Sequence, residues 1–442
     1  MQLWPHQQEA LARLGQRAIY GDAAGSGKTA TAVRWADTVH ADRVLVLASS
    51  DDILDQWVDT FNDWSRFTVF AGYGTKPQRE RARQNVDRSR QVALVLNYEA
   101  LRLDIDALLK IGFDALIFDE AHHLKGRRNA VYFGAEKLAK RADCLLHVTG
   151  TPVLNHAAEA WSMLHLLDPR TYSSFWKWAG AHFEIEVTDF HGKAPQPIRL
   201  VKGLRDGHAD IVREQLAPYL VQRSFDELFP DAPPVELTEV VVELGDAERR
   251  VYDELVRRSW SQVGDELVLT ENAVAKTTRL RQLTSSWATF AAEDEWPGAK
   301  IDATVKIDRG LVRDEQVLIL SAYRATAERV AREVDGAEFI HGDTKRRERK
   351  DKLSAFKDGR LRALSATIGV LGEGVDGLQV ARNLIQLDRD WTPARNEQIL
   401  ARLRRGGQKR SVRGWYLLGN RTIDEAVSDA LEGKIAIVDS IL

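Results

Sequence analysis

The sequence predicts an α/β fold in two lobes, each built on a largely parallel sheet. Three observations predict it. Short apolar runs recur in two series, helical patterns separate the runs within each series, and a proline-rich stretch divides one series from the other. The length, 442 residues, is long for one core, so two domains of about 150–200 residues each are the default.

The first series comprises residues 44–48 (VLVLA), 92–96 (VALVL), 115–118 (ALIF) and 145–148 (LLHV). Between them lie helical patterns such as 53–64, where Ile53, Leu54, Trp57, Val58 and Phe61 share one face. Buried strands alternating with helices imply parallel sheet. The second series is 317–321 (VLILS), 338–341, 362–365, 384–387 and 415–418. In the middle of the chain, 157–167 and 246–260 read as helices, while 192–197 and 230–234 (PDAPP) read as loops. The second loop sets the expected boundary, giving lobes at 1–229 and 230–442, each with a helical insert.

Hydrophobic content of 44% and charged content of 29% describe an ordinary globular chain. With a formal net charge of −3, any polyanionic partner must be met by a local basic patch. The single cysteine, Cys144, excludes an intramolecular disulfide framework and has no metal-ligand spacing around it. The start, MQLWPHQQEALARL, lacks the basic and then apolar order of a secretory signal. No apolar run approaches the ~20 residues that span a bilayer. The expectation is a soluble intracellular protein without membrane partners.

Residues 19–31 read IYGDAAGSGKTAT. A phosphate loop of the form G-x-x-x-x-G-K-[ST] would begin with glycine where this chain has Asp22. The remaining parts are in place. Gly25, Ser26 and Gly27 allow a tight backbone path whose N–H groups converge on an anion at a helix N-terminus. Lys28 can reach the β- and γ-phosphates of a nucleotide, and Thr29 can hold Mg²⁺. The loop follows a short apolar run and opens a helix with Ala32, Val33, Trp35 and Ala36 on one face. The bland alternative is a glycine turn.

Residues 115–122 read ALIFDEAH, an apolar strand ending in two carboxylates. At such an end Asp119 can hold Mg²⁺ through water, and Glu120 can take a proton from an attacking water. A solvated acid pair is the bland reading, which the loop upstream disfavours. His122 and His123 lack a fixed third ligand, so zinc is rejected.

DEAH after DAAGSGKT resembles the superfamily-two helicases and translocases, and Asp22 at the head of the loop resembles their Swi/Snf-type branch. The likeness runs through nearly the whole chain. LWPHQ (3–7) is similar to the Q motif, VLVLASSDDILDQW (44–57) to motif Ia, and NYEAL (97–101) to the strand-contact motif that follows it. DEAHHLKGRRN extends motif II as this branch does. VTGTPVLNHAAEAWSML (148–164) is similar to motif III, including Asn155, Glu159 and Trp161. LAPYLVQRSFDELFPDAPPVE (216–236) resembles the exit from the first lobe. VLILSAY resembles motif IV. HGDTKRRERKDKLSAF (341–356) keeps the family's Gly342, Thr344, Arg349 and Phe356. DRDWTPARNEQILARLRRGGQ (388–408) resembles motif VI, with Gln398, Arg402, Arg405, Gly407 and Gln408 at the family spacing. One departure stands out: SATIGVLGEGVDGLQ (365–379) has a GEGVD core more like superfamily-two motors at large than like this branch's motif V.

The resemblance implies two RecA-like lobes with ATP and Mg²⁺ in the cleft between them. Gln7 would read adenine, because an amide offers one donor and one acceptor to its N6 and N7 edge. Gln398 would join the nucleotide site, and Arg402 and Arg405 would stabilise charge developing at the γ-phosphate. His122, Thr149, Thr151, Gly372, Gly374 and Asp376 would couple hydrolysis to motion. Ser49, Asn97, Tyr98, Ser321, Gly342, Thr344 and Arg349 would meet nucleic acid.

The basic run at Lys345, Arg346, Arg347, Arg349, Lys350 and Lys352 suits phosphates. It equally suits a solvated helix face paired with Glu348 and Asp351. Trp391 beside Pro393 reads as a packing residue, and Glu184, Glu186 and Asp189 as surface acids. The leading expectation is an ATP-dependent translocase on double-stranded DNA. The alternatives are a strand-separating DNA or RNA helicase, a nucleic-acid-binding scaffold with a residual motor fold, and a motor subunit serving another protein such as a nuclease or replication factor. A motor core with short inserts suits a bacterial or phage enzyme working in the cytoplasm.

Overall fold

The computed structural model describes residues 2–441 apart from 128, 154–155, 189–197, 259, 264–265, 270–272, 288–289, 291–295, 373–374 and 376. Asn155, Asp189 and the loop expected at 192–197 lie outside the described residues. The chain forms two compact units, Met1–Pro230 with Lys434–Leu442, and Asp231–Gly433.

The first unit contains β1 (Arg17–Tyr20), β2 (Arg43–Ala48), β3 (Thr68–Ala71), β4 (Val92–Asn97), β5 (Ala115–Asp119), β6 (Cys144–Val148), β7 (Phe183–Thr188), β8 (Ile198–Leu204) and β9 (Leu220–Val221). Seven of them make one sheet in the order β3-β4-β2-β5-β6-β1-β9, and each neighbouring pair in it is parallel. β7 and β8 form a separate antiparallel hairpin. Successive residues of a strand point to opposite faces, and here both faces are covered. Ile19, Leu45 and Leu47 join one buried cluster, while Ala18, Tyr20, Val44 and Val46 join another. Double burial is why these strands read as unbroken apolar runs.

Arg17 of β1 fastens two neighbouring helices to the sheet. Its guanidinium donates to Ala139 O and Ala142 O, where the helix Ala130–Ala139 ends, and to Leu166 O and Leu167 O, at the end of Ala160–Leu167. A cation at a helix C-terminus satisfies carbonyls that have no partner within the helix.

The second unit contains β10 (Val235–Val242), β11 (Trp260–Val263), β12 (Glu266–Leu269), β13 (Val317–Ser321), β14 (Ala337–Ile340), β15 (Ala363–Thr367), β16 (Asn383–Gln386) and β17 (Val412–Gly419). Six make a parallel sheet in the order β10-β17-β16-β13-β15-β14. Its two faces are again both buried, with Val317 and Ile319 in one cluster and Leu318 and Leu320 in another. The α/β class with two parallel sheets is therefore the observed architecture.

Two expected helices change at their ends. Residues 157–167 begin as a 3-10 turn, Ala157–Glu159, before the α-helix Ala160–Leu167. The helix expected over 246–260 stops at Arg258, and Trp260 instead opens the β11–β12 hairpin. Trp260, Val263, Val268 and their neighbours carry the aromatic and β-branched character that favours strands. Among the described residues no helix is long and apolar enough to cross a membrane.

Candidate functional site

The phosphate-loop pattern lies where its sequence requires, between buried β1 and the helix Lys28–Thr38. Gly25 and Gly27 have φ of 84° and 78°, the left-handed region that glycine enters without steric cost. A Cβ on Gly27 would come within 2.4 Å of Gln7 Nε2, so a side chain there would push the Gln7 amide off the loop. Lys28 Nζ donates to Asp22 O at 2.7 Å and Ala23 O at 3.1 Å. Ser26 is fully buried and its Oγ has no hydrogen-bond partner. Thr29 is half-buried in the first helical turn.

Gln7 comes to the loop from the helix Pro5–Arg13. Its Nε2 donates to Ser26 O and Gly27 O at 3.2 and 3.0 Å, and its Oε1 accepts from Trp4 N at 2.8 Å. Both amide hydrogens thus bind loop backbone, and Gln7 clamps the loop from the side. His6 Nε2 also lies 3.0 Å from Ser26 O.

Asp22 is completely buried. Arg223 answers its charge, donating from Nη2 to Oδ2 at 2.6 Å and from Nε to Oδ1 at 3.2 Å. In the sequence Asp22 reads as a subfamily mark, while Arg223 belongs to no recognised site. The two positions are 201 residues apart, so no local spacing announces the pair.

The acid pair sits at the end of β5. Trp57 Nε1 donates to Asp119 Oδ2 at 2.7 Å, Glu120 N donates to Oδ1 at 3.0 Å, and Tyr98 Oη donates to Asp119 O at 2.6 Å. Burial, with the Glu120 charge beside it, pushes the Asp119 carboxyl up to about 7, while the Trp57 bond and the Lys28 charge pull the other way. A carboxyl so placed is suited to a cation. Glu120 has φ 46° and ψ 54°, a left-handed backbone rare for a non-glycine residue and costly unless its surroundings enforce it. His122 Nδ1 lies 3.2 Å from Glu120 Oε2, and its ring stacks on His123 at 4.7 Å.

The turn after β6 completes the cluster. Thr149 and Thr151 are buried, Thr149 N donates to Tyr20 O, and Thr151 N donates to Thr149 Oγ1. A Cβ on Gly150 between them would lie 3.5 Å from Lys28 Nζ. Gln7, Asp22, Lys28, Asp119, Glu120 and the Thr149–Thr151 turn therefore converge. The loop amides, the orphaned Ser26 hydroxyl and the lysine suit a nucleotide's phosphates. The carboxyl pair with Thr29 suits a hydrated Mg²⁺.

The residues expected at nucleic acid are placed differently. Ser49 follows β2, with its Oγ buried and unpartnered. Asn97 Oδ1 accepts from Ala100 N at 3.1 Å, starting the helix Glu99–Leu103, and Tyr98 is buried beneath Asp119.

In the second unit Ser321 is 1% exposed, and its Oγ donates to Asp388 Oδ2 at 2.6 Å while accepting from Tyr323 N at 3.0 Å. The hydroxyl is thus drawn inward by a buried carboxylate. Thr344 is buried too, its Oγ1 accepting from His341 N at 3.0 Å. Gly342 is exposed and Arg349 half-buried. Of the basic run, Lys345, Arg346, Arg347 and Lys350 are exposed. Lys352 instead pairs with Glu348 and Glu338 and donates to Phe339 O.

Arg402 Nη1 lies 3.4 Å from Val375 O, and Arg405 Nε donates to Ala401 O at 3.2 Å. Gln398 is buried in the helix Pro393–Leu403, which also carries Arg402. Gly372 closes the helix Ile368–Gly372, whereas Gly374 and Asp376 lie outside the described residues. Lys300, which no motif marks, is fully buried, with Nζ 2.7 Å from Asp424 Oδ2, 3.9 Å from Asp388 Oδ1 and 2.6 Å from Leu387 O.

A model of the SNF2-related domain matches residues 10–289, and one of the helicase conserved C-terminal domain matches residues 299–407. The chain is similar to Protein CHROMATIN REMODELING 5 of Arabidopsis thaliana, 23% identical over 429 residues that cover 87% of this chain and 23% of that protein. It is also similar to the uncharacterized ATP-dependent helicase YqhH of Bacillus subtilis, 24% identical over 478 residues that cover 99% of this chain and 79% of that one. The chain spans about a quarter of the length of the first curated relatives it matches. Among solved structures, the Sulfolobus solfataricus SWI2/SNF2 ATPase core in complex with dsDNA pairs with it at 18% identity and a TM-score of 0.43, over 100% of this chain and 93% of that one.

Proposed function

The chain belongs to the SNF2-related domain family, and from that premise we propose that it hydrolyses ATP to translocate along duplex DNA. The observation that carries the reading is the convergence of Lys28, Asp119, Glu120 and Gly150 on one glycine loop. Lys28 and the loop N–H groups hold the phosphates, which they meet as a cation and a row of donors at a helix N-terminus. Thr29 and Asp119 would hold Mg²⁺, which would supply neutralising charge on the phosphates. Glu120 accepts the proton of the attacking water, its strained backbone fixing the carboxylate's direction. The motif VI pattern carries nucleotide roles for Gln398, Arg402 and Arg405 as well. His122, Thr149, Thr151, Gly372, Gly374 and Asp376 link hydrolysis to movement.

Exposed Lys345, Arg346, Arg347 and Lys350 on and beside the helix Arg346–Lys357 are suited to DNA phosphates. The name of the Bacillus relative, an ATP-dependent helicase, favours a motor driven by ATP. The GEGVD text at 372–376 favours strand separation as the second reading.

ATPase rate measured alone, with single-stranded DNA, with duplex DNA and with RNA tests the substrate class. Duplex DNA is expected to stimulate most. Displacement of a third strand from a triplex, with a forked duplex left intact, is the expected output. Efficient unwinding of the fork establishes the helicase reading instead, and stimulation by RNA alone overturns the DNA assignment.

A further inference from the structure

The stretch 216–236 resembles a lobe exit, and nothing in that resemblance gives Arg223 a task. Its position does. A carboxylate with no exposure, as at Asp22, is costly unless its charge and lone pairs are answered. Arg223 answers both oxygens with the two-point geometry that guanidinium and carboxylate share. The same guanidinium donates to His6 O at 2.7 Å and Glu9 Oε2 at 3.0 Å, gripping the helix that carries Gln7.

The backbone repeats the connection. β9 pairs with β1 through Ile19–Leu220 and Tyr20–Val221. Past the strand ends, Gly21 N donates to Val221 O and Ala23 N to Arg223 O, so the exit segment runs beside the first half of the phosphate loop. The carbonyls of Asp22 and Ala23, the two residues thus fixed, are those that accept from Lys28 Nζ. Side-chain clamp, loop backbone and lysine form one short chain of bonds. A glycine at position 22 would leave the loop without that clamp.

We propose that Arg223 is a positioning residue for Lys28, holding the Asp22–Ala23 backbone that presents the lysine to nucleotide phosphates. The inference rests on the ATP-site reading above. Arg223 acts through what it holds, the Asp22 carboxylate first and the helix that carries Gln7 beside it. The loop's departure from glycine and the arginine 201 residues away are one device.

The test is a double-mutant cycle in the full chain, with Asp22→Asn, Arg223→Gln and both together, beside Arg223→Lys. A fluorescent ATP analogue measures affinity, steady-state hydrolysis separates KM from kcat, and thermal melting reports the fold. Each single variant is expected to weaken nucleotide affinity by about tenfold, the size of one charge-assisted hydrogen bond. The double variant should be no weaker than Arg223→Gln alone, because once the guanidinium is gone Asp22→Asn has no clamp left to remove. Arg223→Lys should recover part of the loss. Near-wild-type affinity in Arg223→Gln overturns the proposal. So do effects that add in the double variant, and so does a melting shift with KM and kcat both unmoved. A wild-type protein that neither binds nor hydrolyses ATP instead removes the ATP-site reading, an outcome distinct from active wild type with indifferent variants.

Discussion

Each unit buries an ion pair beside one of its motifs, and the two pairs serve different ends. In the first unit Asp22 and Arg223 brace a loop whose lysine lies near the Asp119 and Glu120 carboxyls. In the second, Lys300 sits between Asp424 and Asp388, and the groups around it close upon themselves. Ser285 Oγ and Ser321 Oγ both donate to Asp388, and Thr284 Oγ1 to Asp424. One network presents chemistry outward; the other keeps it inside as structure. The difference teaches that a motif match identifies residue types, while burial and bonding decide whether a side chain meets a ligand.

The contrast breaks most sharply at Lys28. Lys28→Ala should bring ATP hydrolysis to background in a coupled assay, with unchanged circular dichroism, because the side chain serves the ligand and not the core. Hydrolysis at wild-type rate would remove the loop from the site. Glu120→Gln comes next, with turnover expected to fall by ~10²–10⁴-fold because an amide cannot accept the water's proton. Nucleotide titration should show retained binding. Lost affinity with normal turnover per bound nucleotide would contradict the assignment.

Lys300→Met is the mirror experiment in the second unit. It leaves two buried carboxylates without their cation, a change expected to cost about 3–5 kcal/mol. Apparent Tm of the full chain should drop, while affinity of the first unit for an ATP analogue holds. A variant that melts normally but binds nucleotide poorly would erase the distinction between the two networks.

How far these features were legible follows from the same physics. The central strands were visible because burial on both faces leaves runs such as VLVLA and VLILS unbroken. β10 and the β7–β8 hairpin were not, since VELTEVVV and FEIEVT mix charged and apolar residues. There, Glu186 and Lys202 form an ion pair at 2.7 Å. Lys28, Asp119 and Glu120 were legible because their chemistry lies in contiguous text. Arg223 and Lys300 were not, because their partners are distant in sequence and a lone basic residue carries no periodicity. The inward bond of Ser321 is hidden for a related reason: its motif is local, but its carboxylate partner Asp388 stands 67 residues on.

Ser321 therefore supplies the smallest and most discriminating test. Removing its hydroxyl leaves Asp388 Oδ2 with Ser285 Oγ at 2.8 Å and Ala322 N at 3.0 Å, so the carboxylate is weakened and not abandoned. Loss of one hydrogen bond to a charged group is worth about 1.5–3 kcal/mol, and retained partners place Ser321→Ala toward the low end. The variant should melt slightly earlier than wild type, and far less so than Lys300→Met. Its affinity for duplex DNA, titrated at several salt concentrations, should match wild type in value and slope, because a side chain 1% exposed releases no counterions from a phosphate. An unchanged melting curve with several-fold weaker DNA binding would return Ser321 to the DNA-contacting surface, and would mean that the second unit, like the first, turns its motif outward.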